Sequence, residues 1–462
     1  MLWGASRFYK AKLSALMAAL IVISAQSINA DPDLAKGIGP LPDPAKGARA
    51  GALVTAEHSS LYNALLLPEL AKLNEQGEFV FEALRAPKEP TRFTANQVAR
   101  EALTAPSSNG ELKTKELAGL PTPLFNLGNT ASGDLTQAAY KILWNAASLG
   151  WKHAYQSSEL SLLLFKAPDS EPHKLGFEIE RIHPSKMGLQ LGGLDPIFRE
   201  TISASTPEAI KGLSWLTLRF FGQDPDFVWA ASPVINRVRQ LTGSNRSDQI
   251  FTGIFSPDDL FVWSGKVELA EPVALTLVSL LIPILEDPNL KSEKGDDCSV
   301  YSYKGDNAVS FNYQSARFKG AGKWVPSNVI MVPRQVWRIE MIKRDPFSLD
   351  TRETLYVDKE TGMPIYRVVW DQGGRLRKVT VGFIRSVESV EAQPEPQLAG
   401  QVILSGNGTS RLALVYDSLK LCPNFPRGKS ITDFDPSLFV TLGSAEVVTS
   451  PASNAQQRRA EF

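Results

Sequence analysis

The chain has 462 residues and a mass of 50.6 kDa. That is enough for about three domains at roughly 150 residues each, or for one large β-rich domain with insertions. Its 49 basic and 49 acidic residues cancel, which excludes a nucleic-acid binder held by a basic face. With 43% hydrophobic and 21% charged residues, wholesale disorder is excluded as well. Two cysteines and four histidines exclude a disulfide-dense scaffold and a four-cysteine zinc site. No metal site and no cofactor is predicted.

Residues 1–30 read as a cleavable secretory signal peptide. Arg7, Lys10 and Lys12 precede an apolar run from Leu13 to Ala25, and Ser27-Ile28-Asn29-Ala30 places a small residue before Asp31. The run is far short of the roughly 20 residues a spanning helix needs. The mature chain is therefore expected to have no transmembrane span and to work in the periplasm of a Gram-negative envelope. Residues 31–55, rich in Pro, Gly and Ala, are expected to form a flexible leader.

Residues 56–155 are expected to form a helical and irregular amino-terminal segment. Leu61, Leu65, Leu66 and Leu70 recur near a 3.6 period, predicting a helix over 57–75. A short helix is expected near Ala95–Leu103. The clearest amphipathic helix covers Leu135 to Ala154, with Leu135, Ala138, Ala139, Ile142, Leu143, Ala146 and Leu149 on one face.

From 156 to 462 the chain is predicted to be mainly β. Strand-length runs fall at Leu160–Lys166, Gly176–Ile182, Trp215–Phe221, Phe227–Ala231, Asn236–Leu241, Leu260–Val267, Val309–Gln314 and Val336–Lys343. The best hairpin joins Thr354–Val357 to Pro364–Trp370 across Asp358-Lys-Glu-Thr-Gly362, and Gln372-Gly-Gly374 turns the chain into Arg375–Ile384. Serial short strands with tight turns predict an antiparallel meander rather than a βαβ fold. One stretch breaks the rhythm. Pro272 to Leu285 is aliphatic and uncharged, and it is predicted to be an apolar helical insertion over 272–286, kinked or stopped at Pro283. It is read either as a buried core helix or as a lid over an apolar cavity. In an oxidising compartment Cys298 and Cys422 are expected to form a disulfide, the alternative being two separately buried thiols.

Signatures of catalysis are missing. The sequence contains no His-Glu-x-x-His and no Gly-x-Ser-x-Gly. Gly428-Lys429-Ser430 resembles the end of a phosphate loop, but Pro423 stands where the first glycine belongs. An enzyme is therefore not expected. Residues 226–268 are the informative stretch. Arg237, Arg239 and Arg246 lie near Asp248, Asp258 and Asp259. They are read either as exposed ion pairs of under about 1 kcal/mol each or as an anion-reading polar rim at a cavity mouth, for which Arg237, Arg239, Arg246 and Asp248 are the candidates.

Trp229, Pro233, Arg237-Val-Arg239, Asp248 and the Phe251-x-Gly253…Trp263-x-Gly265-Lys266 run resemble an uncharacterised family of exported proteobacterial proteins. That family is described as outer-membrane lipoprotein-sorting-like. Val336-Trp-Arg-Ile-Glu340, Tyr356-Val-Asp-Lys-Glu-Thr-Gly362 and Trp370-Asp-x-x-Gly-x-Leu376 are similar to its closing hairpins. The resemblance covers roughly residues 210–390. It implies a fold like that of the lipoprotein carriers of the Lol pathway: a curved antiparallel sheet, or incomplete barrel, with helices covering the hollow. The resulting expectation is a periplasmic carrier or chaperone for a lipid, an acylated protein or another apolar ligand. Trp215, Trp229, Phe261, Trp263, Leu277 and Leu281 are the candidate lining. The alternative is a non-catalytic accessory protein of an exporter or envelope complex. The expected partners are lipid or lipoprotein cargo and an envelope transport complex, not nucleic acid.

Overall fold

The computed structural model describes residues 51–83, 135–149, 153–184, 196–232, 237–250, 254–285, 298–303, 308–314, 321–345, 347–388 and 394–436. It also describes residue 305 and short strand pieces at 112–113, 116–117, 290–291 and 293–295. The expected signal at 1–30, nearly all of the leader and the helix near 95–103 lie outside the described residues. The last leader residues form a strand, β1 (Ala52–Val54), paired with β2 (Phe81–Ala83).

The predicted helix over 57–75 is two short helices, α1 (Ser59–Tyr62) and α2 (Pro68–Glu75). Pro68 accounts for the break. It has no N–H to continue a helix, but it suits the first helical position, where α2 begins. Leu65, Leu66 and Leu70 are buried, as the periodicity required. Helix α3 (Leu135–Ser148) follows. It is buried beyond its apolar face, with Tyr140 and Trp144 also covered.

The remaining labelled elements are strands. β3 (Tyr155–Phe165), β4 (His173–Ile182), β5 (Phe198–Thr206), β6 (Ser214–Arg219), β7 (Phe227–Ser232) and β8 (Arg237–Leu241) each pair antiparallel with the next. They are followed by β9 (Ala270–Leu285), β10 (Cys298–Ser302), β11 (Val329–Lys343), β12 (Arg352–Asp358) and β13 (Pro364–Trp370). The last four are β14 (Leu376–Glu388), β15 (Pro394–Ser405), β16 (Arg411–Tyr416) and β17 (Ser418–Cys422). β9, β11, β12, β13, β14, β15 and β16 pair in that order, all antiparallel, and β16 then joins β3. The product is one large curved sheet that does not close into a barrel. The 354–370 hairpin forms as β12 and β13, and Gly362 adopts the positive φ (71°) that its turn needs.

Three predicted elements are corrected. The apolar stretch 272–286 is not a helix: most of it is β9, paired with β11 from Ala270 opposite Lys343 to Leu285 opposite Val329. Its second part, Leu280–Leu285, is apolar on both faces because both are covered. Leu275 packs with α3, and Leu280, Leu281, Ile282 and Ile284 enter the main core. A doubly buried strand shows no alternation, so period alone cannot separate it from a helix. Pro272 and Pro283 are tolerated because β9 is an edge strand, meeting β14 only at Ile284 opposite Ile384. Leu260–Val267 is a loop between two short 3₁₀ turns, Pro257–Asp259 and Val267–Leu269. Its apolar residues mark burial inside the fold, not a strand. Val309–Gln314 holds an isolated bridge from Phe311 to Pro326 and a 3₁₀ turn at Asn312–Gln314.

Cys298 on β10 and Cys422 on β17 form a disulfide, with Cα atoms 4.3 Å apart, buried beside Tyr155, Ile182 and Phe434. Among the described residues, no helix is long and apolar enough to cross a membrane.

The strand assignment of β9 is testable by substitution. Leu281 is fully buried and Val273 is 38% exposed. Leu281→Asp should lower the unfolding free energy by several kcal/mol, because it buries an unpaired charge. Val273→Asp should cost under about 1 kcal/mol. Denaturant unfolding of both variants checks this; equal losses would contradict the burial pattern.

Candidate functional site

The site is built on a loop that leaves β8, enters the concave side of the sheet and returns at β9. Thr242 and Asn245 cap its first 3₁₀ turn, Gly243–Ser247, reciprocally, and Ser256 and Asp259 cap the next in the same way. The chain then passes through Phe261 (φ 57°) and Val262 (φ 69°), both left-handed. For a β-branched valine that conformation costs on the order of 1–3 kcal/mol and persists only where the surroundings impose it. Gln401 supplies much of that constraint. Its side-chain oxygen accepts the Val262 N–H at 2.7 Å, and its amide donates to the Asp259 carbonyl at 2.6 Å. Gly382 makes room below: a Cβ there would stand 2.5 Å from a Val262 methyl.

A buried ionic network anchors the loop. Arg367, with no exposed surface, donates to Asp259 Oδ1 at 2.6 Å, to Glu353 at 2.7 and 3.0 Å, and to Asp350 at 3.3 Å. Lys378 donates to Asp259 Oδ2 at 2.8 Å and to Ser256 Oγ at 3.0 Å, and Arg377 pairs with Asp350. Lys343 and Arg246 hold the two oxygens of Asp258, at 2.7 and 3.0 Å. Burial pushes the Asp258 carboxyl up, but Lys343 and Arg246 outweigh it and hold it far below the usual carboxylate range. Arg246 also lies 3.5 Å from Asp226 and 3.6 Å from Glu200. Arg219 donates to Asp226 at 2.8 Å and to the carbonyls of Ser264 and Gly265 at 3.0 and 2.9 Å. Lys266 approaches Asp226 at 3.9 Å, and Arg181 donates to Glu200 at 2.9 Å. Removing one partner from such a network typically costs about 3–5 kcal/mol, because a charge stays buried and uncompensated.

Between this loop, the end of α3 and the sheet lies a cavity of about 120 Å³. Ala146, Ala147 and Leu149 close it on the helix side. Phe198, Leu398, Leu419 and Leu421 on the strands, with Phe261 and Trp263 on the loop, give it apolar walls. Gln156, Arg181, Arg219 and His153 supply polar lining. The Arg181 guanidinium stands 4.3 Å from the Phe198 ring centroid and 4.8 Å from that of Phe261, and Phe261 stacks on Tyr416 at 5.9 Å.

Of the candidate lining residues, Phe261 and Trp263 face this cavity. Trp215 on β6 is half-buried against the main core, and Leu281 on β9 is wholly inside it. Trp229 on β7 lies with Leu216, Leu218 and the exposed Phe227 in a separate small cluster. Leu277 packs against the cluster around α3. Of the four candidate rim residues, Arg246 is buried in the network. Arg237 and Arg239 are exposed on β8, and Asp248 is half-buried and bonded by Asn245. Asp258 and Asp259, read from sequence as near the rim, are buried anchors of the loop. Sequence reasoning missed Arg181 and Gln156. A signal was present for Arg181: it ends the inward row Phe177, Ile179, Arg181 on β4, a cation in an apolar alternation.

No family model matches the chain, and no curated protein matches it. Solved structures do. An outer membrane lipoprotein-sorting protein domain from Vibrio parahaemolyticus is 16% identical with a TM-score of 0.41, over 64% of this chain and 94% of that one. A DUF1329 family protein from Desulfovibrio piger is 14% identical with a TM-score of 0.42, over 66% and 99%. A LolA superfamily protein from Nitrosomonas europaea is 14% identical with a TM-score of 0.36, over 65% and 98%. These descriptions match the family resemblance seen in the motifs between 210 and 390. Scores this low lend no weight to any particular function.

Glu268, in the loop's last 3₁₀ turn, yields a pH prediction. Burial pushes its carboxyl up to about 7 from 4.5, with Lys266 offsetting part of the rise. The folded state thus holds the proton more tightly than the unfolded chain. Stability from this group is lost as pH rises from about 4.5 to 7. Glu268→Gln can still accept from the Gly222 N–H, which lies 3.0 Å from the carboxylate. The variant should match the wild type near pH 5 and exceed it at pH 8 by on the order of 2–3 kcal/mol. Thermal unfolding at the two pH values checks this; an identical difference at both would contradict it.

Proposed function

We propose that the protein is an exported, non-catalytic carrier or chaperone that holds part of an apolar ligand, such as a lipid or an acylated protein, against the concave face of its sheet. The observation that carries this reading is the cavity bounded by α3, Phe261 and Trp263, with aliphatic walls from β15 and β17. Its volume of about 120 Å³ is close to that of an engineered apolar cavity of about 150 Å³ that accepts benzene. A pocket of that size suits the end of one chain, with the rest of a longer ligand lying outside it. Each methylene buried would contribute about 0.8 kcal/mol.

A second reading, an accessory protein of an envelope complex, draws support from one observation. Phe347 is 80% exposed, and Ile342 and Leu349 nearby in sequence are 45% and 48% exposed. Large apolar side chains left in water suit contact with another protein.

Displacement of the apolar fluorophore N-phenyl-1-naphthylamine by a neutral alkyl alcohol tests the first reading. Wild type should take up the fluorophore and release it to the alcohol. Ala147→Phe, which fills the cavity from the helix side, should weaken uptake at least tenfold with little change in melting temperature. No uptake by wild type, or unchanged uptake by Ala147→Phe, would contradict the carrier reading.

A further inference from the structure

We propose that the polar end of the ligand is anionic, a carboxylate or phosphate carried on an apolar chain, and that Arg181 with Gln156 receives it inside the cavity. The inference rests on the carrier reading and narrows it to one ligand class.

Three observations lead there. The first is geometric. Gln156 on β3 and Arg181 on β4 are direct cross-strand partners, so their side chains lie side by side on the inner face. Both are only 6% exposed, and both line the cavity.

The second concerns their hydrogen bonds. Arg181 uses Nε and Nη2 on Glu200 and reaches Ser264 Oγ at 3.4 Å. Its Nη1 makes no hydrogen bond among the described residues, and neither does the Gln156 side-chain amide. Both groups reach the accessible surface of the cavity, so a ligand seated there can accept from them directly.

The third is charge. The network includes eight cations, Arg181, Arg219, Arg246, Lys266, Lys343, Arg367, Arg377 and Lys378, against six ion-paired carboxylates. Glu268 and Asp224, which also act on Lys266, bring the acids to eight and balance the network as a whole. The balance is uneven locally: Arg181 has one carboxylate partner, Glu200, and shares it with Arg246. Burial pulls the Arg181 guanidinium below its ordinary value, and Glu200 offsets only part of that. A negative ligand group beside Nη1 would give Arg181 a second counter-charge through a charge-assisted hydrogen bond. Phe198 and Phe261 hold the guanidinium between their rings, so its fork is fixed before a ligand arrives. The apolar walls beginning beside it then take the chain.

The test compares two ligands of equal chain length, dodecanoate and dodecanol, titrated into the full-length protein at pH 8. The readout is the ratio of their affinities. Wild type should favour dodecanoate at least tenfold, and Arg181→Gln should bring the ratio to within about twofold of one. Should Arg181→Gln fail to fold because Glu200 is left unpaired, the double variant Arg181→Gln/Glu200→Gln removes both charges and should give the same collapsed ratio. A wild-type ratio near one, which needs no variant to measure, overturns the anionic subsite while leaving the carrier reading intact. A tenfold ratio that survives in the variants overturns the assignment to Arg181. Saturation by sodium acetate alone at matching concentrations identifies a free-anion site and overturns the amphiphile. Binding of neither dodecyl compound rejects the carrier reading itself, and the subsite with it.

Discussion

Asp259 is the residue on which the interior depends. Its carboxylate takes Arg367 on Oδ1 and Lys378 on both oxygens, with no part of Asp259 or Arg367 reaching water. Arg367 and Lys378 lie on β13 and β14, so this contact ties a long excursion of chain to the middle of the sheet. Together with the two hydrogen bonds of Gln401, it holds the loop that carries Phe261, Val262 and Trp263. A buried ionic cluster is a poor source of net stability, because desolvation consumes much of the Coulombic gain. It does fix geometry, since each charge has few places where it is compensated.

The network also changes what the concave side can do. A curved open sheet with an aliphatic inner face would leave a long greasy hollow. Here Ile250, Ile254, Phe255, Leu260 and Val262 of the loop pack into the main core with the strands, and Asp259 brings charge there. What remains is a small cavity at one end, apolar along β15 and β17 and cationic at β4 and β6. The helix side closes it with alanines, Ala146 and Ala147, whose small side chains leave the space that a larger residue would fill.

Much of the fold was legible because local rules and tertiary packing agree. The 354–370 hairpin shows turn residues and alternating apolar positions, and it forms as read, around Gly362. The other strands between 160 and 241 could be read for the same reason, but Phe198–Thr206 was not among those predicted. Failures fall where burial is two-sided or irregular. β9 is apolar on both faces over Leu280–Leu285 because both are covered there, which erases the period-2 signal. The 260–267 run imitates a strand because a buried loop also needs apolar residues, and only its φ angles distinguish it. Within the site, Phe261 and Trp263 could be found by being large and apolar. Arg246 could be found as a cation, but its depth could not, because an arginine in an ionic cluster and one on a surface read alike in sequence. Gln156 gives no signal of its own; the register of β3 against β4 gives it meaning.

The central claim is that the cavity beside Arg181 holds the end of an anionic amphiphile. Native mass spectrometry of the protein, purified without detergent from the cells that make it, tests this most directly. The account predicts a second population heavier by one acyl-chain compound with a carboxylate or phosphate, and denaturation should release that compound. Protein that emerges only at its bare mass, and stays so after incubation with total lipid extract from the same cells, would contradict it.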